Sequence, residues 1–195
     1  MSVTLRMIFL IVLTANLCGC SASDESMHKK IHSKFYDMPS YSAKCRLTVN
    51  SNKTKNEYEF DCLYDSSMNR YRVDYPNSTV ILTDTDVRII RPDSVVNVPA
   101  DSSHMLMFVN TFFQSLYESE KADMNTGALA GDYTMLETEL VNPTKFGYSA
   151  KLWIDNKKVT PYNMKVFDGD GRETLSVKFE EFDILKSVEE EKFTD

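Results

Sequence analysis

Apolar and polar residues alternate with a period of two over most of the chain, which predicts strands. In AKCRLTVN, Ala43, Cys45, Leu47 and Val49 share one face; in NEYEFDCLY, Tyr58, Phe60, Cys62 and Tyr64 do. The polar stretch SNKTK between them predicts a hairpin loop. If Ser51 pairs with Asn56, Val49 opposes Tyr58, Leu47 opposes Phe60, Cys45 opposes Cys62, and Arg46 faces Asp61 on the other side. One register then satisfies apolar pairing, charge pairing and thiol proximity together. Further strands are predicted over 70–75, 79–83, 87–91 and 95–98, and over 133–140 before Asn142-Pro143. Three more follow, alternating through Tyr148, Ala150, Leu152 and Ile154, through Tyr162, Met164 and Val166, and through Leu175, Val177 and Phe179. An Asp170-Gly171 turn within DGDG pairs Val166 with Leu175, Met164 with Val177 and Tyr162 with Phe179.

Two stretches change period. Met27, Ile31 and Phe35 recur every fourth residue, which predicts a short amphipathic helix over 26–37, with Pro39 helping to end it. After a cap at Asp101 or Ser102, Met105, Leu106, Val109, Phe112, Phe113 and Leu116 form one helical stripe to about residue 119. At 100° per residue, Met107 and Phe108 fall off that stripe, which makes them either a partner surface or a strip covered by the loop 120–131. Trp153 alternates away from Leu152 and Ile154, onto an open edge or the outer face of its strand. The order helix, strands, helix, strands, with short connections throughout, predicts an α+β fold with an antiparallel sheet. Alternation means one face is buried, and two modest helices must cover it. The expected architecture is a curved half-barrel with helices packed in the concave face, spanning 26–185. The charged tail 186–195, KSVEEEKFTD, is expected to fray.

The N-terminus does not belong to this pattern. Residues 7–17 are an apolar run that follows a single cation, Arg6. The run is short of the about 20 residues a membrane span takes and has the anatomy of a secretory signal. It ends in Leu17-Cys18-Gly19-Cys20, which resembles a bacterial lipobox. That resemblance implies a lipoprotein signal over 1–19, acylation of Cys20 as the first mature residue, and a tether over 20–25. An ordinary signal cut nearby is the alternative. Two acyl chains suffice for stable attachment, at about 0.8 kcal/mol per buried methylene. The expected location is the extracytoplasmic face of the cell membrane.

Charge agrees with this placement. The chain carries 22 basic and 29 acidic residues, a net charge of −7. Losing Arg6 with the signal leaves 21 basic residues against the same 29 acidic ones, a net of −8. Such a surface lacks the basic footprint that nucleic acid needs and gives no help at an anionic membrane. Cys45 and Cys62 are the thiols left over, and in an exported chain they are expected to form a disulfide, contributing about 3 kcal/mol. Free thiols are the alternative; no further ligand and no Cys-x-x-Cys motif favours a metal or redox pair.

Catalytic patterns are sparse. His28 and His32 lie four apart without a third ligand at a recognisable spacing, so they read as a solvated helix face, and His104 needs no role beyond its helix cap. DGDGRET begins like a calcium loop, but Arg172 stands where an oxygen ligand is required. No serine sits in a nucleophile elbow, and no glycine-rich phosphate loop precedes a helix. The reading is a non-enzyme with no catalytic residue, metal or cofactor.

Three stretches carry a family likeness: RYRVDYP from Arg70, VILTDTDVRIIRP from Val80, and above all KLWIDNKKVTPYNMKVFDGDG from Lys151. They resemble the LolA/LolB-like superfamily of periplasmic lipoprotein-binding proteins, whose pattern runs Trp-x-Asp strand, short turn, proline-marked strand, Asp-Gly turn. The resemblance implies an incomplete barrel closed by helices. The family turn before the Val87 strand often carries glycine; here it is Asp84-Thr85-Asp86, so a different turn shape is expected. Within the superfamily, the size, lipobox and body are similar to clostridial spore-germination lipoproteins. That likeness implies a non-enzymatic partner that binds and activates a spore-cortex N-acetylmuramoyl-L-alanine amidase, acting in formation of muramic-δ-lactam. Two alternatives stand beside it: a carrier of acyl chains or lipopeptides in the concave sheet, and an envelope-stress sensor with a transmembrane partner. Exposed edge strands would also allow a homodimer.

Overall fold

The computed structural model describes residues 21–51, 53–118 and 131–194. Helix α1 (Ser21–Phe35) is followed by strands β1 (Tyr41–Asn50), β2 (Lys55–Asp65), β3 (Arg70–Tyr75), β4 (Ser78–Leu82), β5 (Asp86–Arg91) and β6 (Ser94–Pro99). Helix α2 (Val109–Glu118) then leads to β7 (Tyr133–Thr144), β8 (Gly147–Asp155), β9 (Thr160–Phe167) and β10 (Glu173–Ile184), and a 3₁₀ turn (Glu190–Phe193) ends the chain. The strands form one antiparallel sheet in the order β6-β5-β4-β3-β2-β1-β10-β9-β8-β7. Two meanders are thus joined by the pairing of β1 with β10, and β6 and β7 are left as open edges.

Alternation decides which face is buried. Tyr41, Ala43, Cys45 and Leu47 of β1, Phe60, Cys62 and Tyr64 of β2, and Ala150, Leu152 and Ile154 of β8 all point into one core. Both helices cover that concave face: Ile31 and Phe35 of α1 and Val109, Phe112, Phe113 and Leu116 of α2 are buried there. The helices also touch one another, Phe35 stacking on Phe113 with ring centroids 4.6 Å apart. Extra residues interrupt the ladders beside Lys44 and Cys45, within β9 and near the start of β10. Such bulges bend a strand and raise its twist, which curls the sheet around the helices. The expected α+β half-barrel is therefore the observed fold.

Several details differ from expectation, each for a physical reason. The β1–β2 hairpin closes two residues tighter: Ser51 N donates to Thr54 O at 2.9 Å and Asn50 pairs with Lys55. Cys45 consequently faces Phe60, and Cys62 faces Ala43. A slip of two keeps every side chain on its own face, so alternation alone does not choose between the registers. Arg46 pairs with Glu59 at 2.9 Å and Glu180 at 3.0 Å, and not with Asp61. Strand β7 continues through Asn142-Pro143 to Thr144. It is an edge strand, and Pro143 is tolerated where no neighbour requires its N–H.

The segment before α2 is wound in i→i+3 turns: His104 N donates to Asp101 O at 3.1 Å and Phe108 N to Met105 O at 3.1 Å. Side chains there step by about 120° and not 100°, so the helical wheel misplaces Phe108. The hairpin at DGDG keeps the predicted pairs of Val166 with Leu175 and Met164 with Val177. Its loop is longer than two residues: Asp168 N donates to Arg172 O at 3.0 Å, and Gly171 takes the left-handed conformation, φ +76°, that such a bulged turn requires. The tail does not fray. Phe193 is buried, the Arg70 guanidinium lies 4.1 Å above its ring, and Arg72 Nη1 donates to Lys192 O at 2.8 Å.

Candidate functional site

The concave face is filled by a row of rings. Tyr41, Tyr64 and Tyr71 stand directly opposite one another across β1, β2 and β3. Their centroids are 5.4 and 4.7 Å apart, and the row is extended by Phe182 stacked on Tyr41 at 4.7 Å and Phe108 stacked on Tyr71 at 4.0 Å. Each such contact adds about 0.5–1.5 kcal/mol beyond area burial. Cys45 and Cys62 lie in the same layer, and both are free thiols. The expected disulfide is not formed because the two residues are diagonal, not opposed. Diagonal neighbours sit about 7–8 Å apart, beyond the roughly 4.4–6.8 Å between Cα atoms that a disulfide accepts. Burial raises both thiols; Cys62 is pushed up to about 12, against a lowering hydrogen bond from the Tyr41 hydroxyl. Neither thiol offers a thiolate for chemistry near neutral pH.

The other sequence-predicted positions separate cleanly. Cys20, the expected lipidation site, lies outside the described residues. Phe108 is only 2% exposed and belongs to the core, not to a partner surface. Met107 is half-buried and packs against that core. Trp153 is half-buried on the outer face of β8. Pairing puts Met135 of β7 on one side of it and Asn163 of β9 on the other. The rings of Tyr133 and Tyr162 meet beside this pair, tilted, with centroids 4.5 Å apart. Tyr162 was expected to face inward, opposite Phe179. The bulge in β9 instead brings Pro161 into the core and turns Tyr162 outward, 38% exposed. The ion pairs Lys151–Glu137 (3.2 Å) and Lys165–Glu173 (2.7 Å) lie on the same strands. A half-exposed patch of Tyr133, Met135, Trp153 and Tyr162 therefore lies beside edge strand β7. Alternation gave a signal for Met135; nothing in the sequence signals the bulge that adds Tyr162.

A polar cleft opens over α2. One cavity of about 280 Å³ lies between α2 and the loop after β4, and a second of about 500 Å³ lies between α2 and the end of α1. They share Asn69, Asn110 and Gln114 as a common wall. Tyr64 Oη donates to Asn69 Oδ1 at 3.1 Å, and Asn69 Nδ2 donates to Asp84 Oδ1 at 2.7 Å. Asn69 holds a left-handed φ of +45°, which asparagine tolerates better than most residues. Gln114 Nε2 donates to Glu118 Oε1 at 3.1 Å.

Among the described residues, no group of three or more His, Cys, Asp or Glu side chains is placed to hold a metal. His32 stacks on Tyr36 at 4.7 Å and meets Tyr117 edge-on at 5.3 Å, so its ring belongs to an aromatic cluster. Asp168 spends its Oδ1 on the N–H groups of Asp170 and Arg172, at 3.0 and 2.9 Å, which closes its own turn.

Among solved structures, the chain is similar to an uncharacterized conserved protein from Thermus thermophilus, with TM-score 0.51 and 11% identity over 89% of this chain and 93% of that one. It is also similar to the LolA superfamily protein NE2245 from Nitrosomonas europaea, with TM-score 0.49 and 11% identity over 88% and 97% of the two chains. A third similar chain is found in the structure of the CwlD amidase from Clostridioides difficile in complex with the GerS lipoprotein, with TM-score 0.48 and 20% identity over 83% and 95%. At these identities the likeness concerns the fold alone. No curated protein is significantly similar in sequence. Residues 1–193 match the YdcC-like sporulation protein family, and the chain belongs to that family.

Proposed function

We propose that this chain is an exported lipoprotein of the sporulating cell that works by binding another protein, a CwlD-like cell-wall N-acetylmuramoyl-L-alanine amidase. The observation that carries the reading is the filled concave face. A carrier of acyl chains needs open apolar volume there, and Tyr41, Tyr64, Tyr71 and Phe108 occupy it. What remains for recognition faces outward, and the Trp153 patch has the composition of an interface anchor, since Trp and Tyr dominate binding hot spots. Membership in a sporulation family supports the cellular setting. The GerS lipoprotein is a chain of similar architecture seen with an amidase, which makes a CwlD-like enzyme the partner to test. The lipobox at Cys20 supplies the membrane anchor in this reading, and binding serves cortex modification and germination.

The test is co-elution of the full chain, extracted from membranes, with the amidase of the same cell. A stable complex that Trp153→Ala weakens at least tenfold is the expected result. Failure to bind any amidase of that cell would end the proposal. Mass analysis of the first mature residue checks the acyl group. Solvent extraction of the same preparation checks the carrier alternative, which bound acyl chains would favour.

A further inference from the structure

We infer that the cleft over α2 is a binding site for an uncharged sugar bearing hydroxyl and acetamide groups, such as a short stretch of hexosamine glycan. This inference is independent of the amidase reading. The two cavities meet at a shared wall, and together they reach the size of about 300–1,000 Å³ usual for small-molecule sites. Four side-chain amides line them: Asn110, Gln114, at one end Asn142, and Asn69, whose two ends are already bonded to Tyr64 and Asp84. An amide presents a donor and an acceptor together, which matches adjacent sugar hydroxyls and the acetamide group alike. Tyr36, which lines the second cavity and is 59% exposed, adds aromatic surface for the C–H face of a pyranose ring.

Two buried atoms ask for a partner. Asn110 Oδ1 and Tyr117 Oη have none among the described residues. Leaving such an atom unsatisfied costs about 1–3 kcal/mol. Asn110 lines both cavities and Tyr117 the second. A ligand hydroxyl or acetamide N–H can donate to Asn110, and a ligand oxygen can accept from Tyr117.

Charge narrows the ligand further. Among the described residues, no Lys, Arg or His side chain lines either cavity, while Asp37, Asp84, Asp101 and Glu118 do. A phosphate or carboxylate would meet only like charge. A metal cation is also poorly matched, because among the described residues no three such side chains converge on one point, and three of the four carboxylates already accept hydrogen bonds. Asp84 accepts from Asn69, Glu118 from Gln114, and Asp101 from the Ser103 backbone N–H at 2.8 Å and from its hydroxyl. What the cleft offers is hydrogen-bonding capacity without a convergent cluster of charge.

The test is calorimetric titration of the full chain in detergent with chitohexaose. Oligogalacturonate serves as the anionic probe and spermine as the cationic one. We expect saturable binding of chitohexaose alone, weakened at least tenfold by Asn110→Ala and by Gln114→Ala, with unchanged melting. Gln114 is exposed on α2, so its variant carries the test if Asn110→Ala does not fold. Absence of chitohexaose binding, binding of spermine or oligogalacturonate in its place, or binding indifferent to both variants would overturn the inference. The amidase is absent from this titration, so its outcome is separate from that of the pull-down.

Discussion

The two faces of the sheet use the same kinds of side chain to opposite ends. On the concave face, Tyr41, Tyr64 and Tyr71 form a closed aromatic row under the helices. On the outer face of β7–β9, Tyr133, Trp153 and Tyr162 stand half in solvent beside an open edge. Composition does not separate these groups; position does. Parity along each strand assigns most residues, and one bulge in β9 assigns Tyr162. The lesson is that aromatic content says little about function until the face is known. Inward rings hold the fold, and outward rings are available to a partner.

The sharpest way to break this contrast is to remove one ring from each side. Phe35 is 0% exposed, stacks on Phe113 and meets Phe182 edge-on. Phe35→Ala should cost about 3–5 kcal/mol, read as a loss of urea midpoint at constant slope. If that variant proves as stable as the parent, the helices do not close the core.

A buried ion pair gives the next largest effect. Asp65 is buried at the β2–β3 turn; burial alone would raise its carboxyl, but hydrogen bonds from Ser67 and Arg70 outweigh that and hold it below the usual range. The folded state has the lower value, so its contribution is full above the unfolded carboxylate pKa of about 4 and is lost as pH falls through the folded one. Arg70→Ala leaves this carboxylate unpaired and also removes the cation above Phe193; we expect a loss of about 3 kcal/mol. Acid unfolding should move to higher pH, followed by circular dichroism.

Crowding on the concave side predicts a smaller cost. A Cβ added at Gly147 would stand 2.8 Å from Leu106 Cδ2 and 3.0 Å from Val166 Cγ1. Gly147→Ala should cost about 1–3 kcal/mol by overpacking, measured by thermal melting. On the outer face, Trp153→Ala should change stability by no more than about 0.5 kcal/mol while lowering amidase binding. A large stability loss there would show that Trp153 belongs to the structure and not to a surface. The smallest effect is expected from reductant. Free Cys45 and Cys62 predict no shift in melting temperature, and maleimide should label them only after denaturation.

Much of this molecule was legible in the sequence because strands and helices write their periods into it. Alternation identified the buried face of β1, β2, β8 and β10, and fourfold spacing identified the covering face of α1. The Asp-Gly turn set the strand pairing that β9 and β10 adopt. What the sequence left open were the quantities that repeat under a shift. The β1–β2 register slipped by two without moving a residue to the wrong face, and that slip separated Cys45 from Cys62. The i→i+3 winding before α2 moved Phe108 into the core, because 120° and 100° steps diverge within a few residues. The docking of Phe193 and the cleft walled by Asn69, Asn110 and Gln114 join residues far apart along the chain. Local pattern reports a period and a face; only packing chooses the phase, and with it the neighbours that make a site.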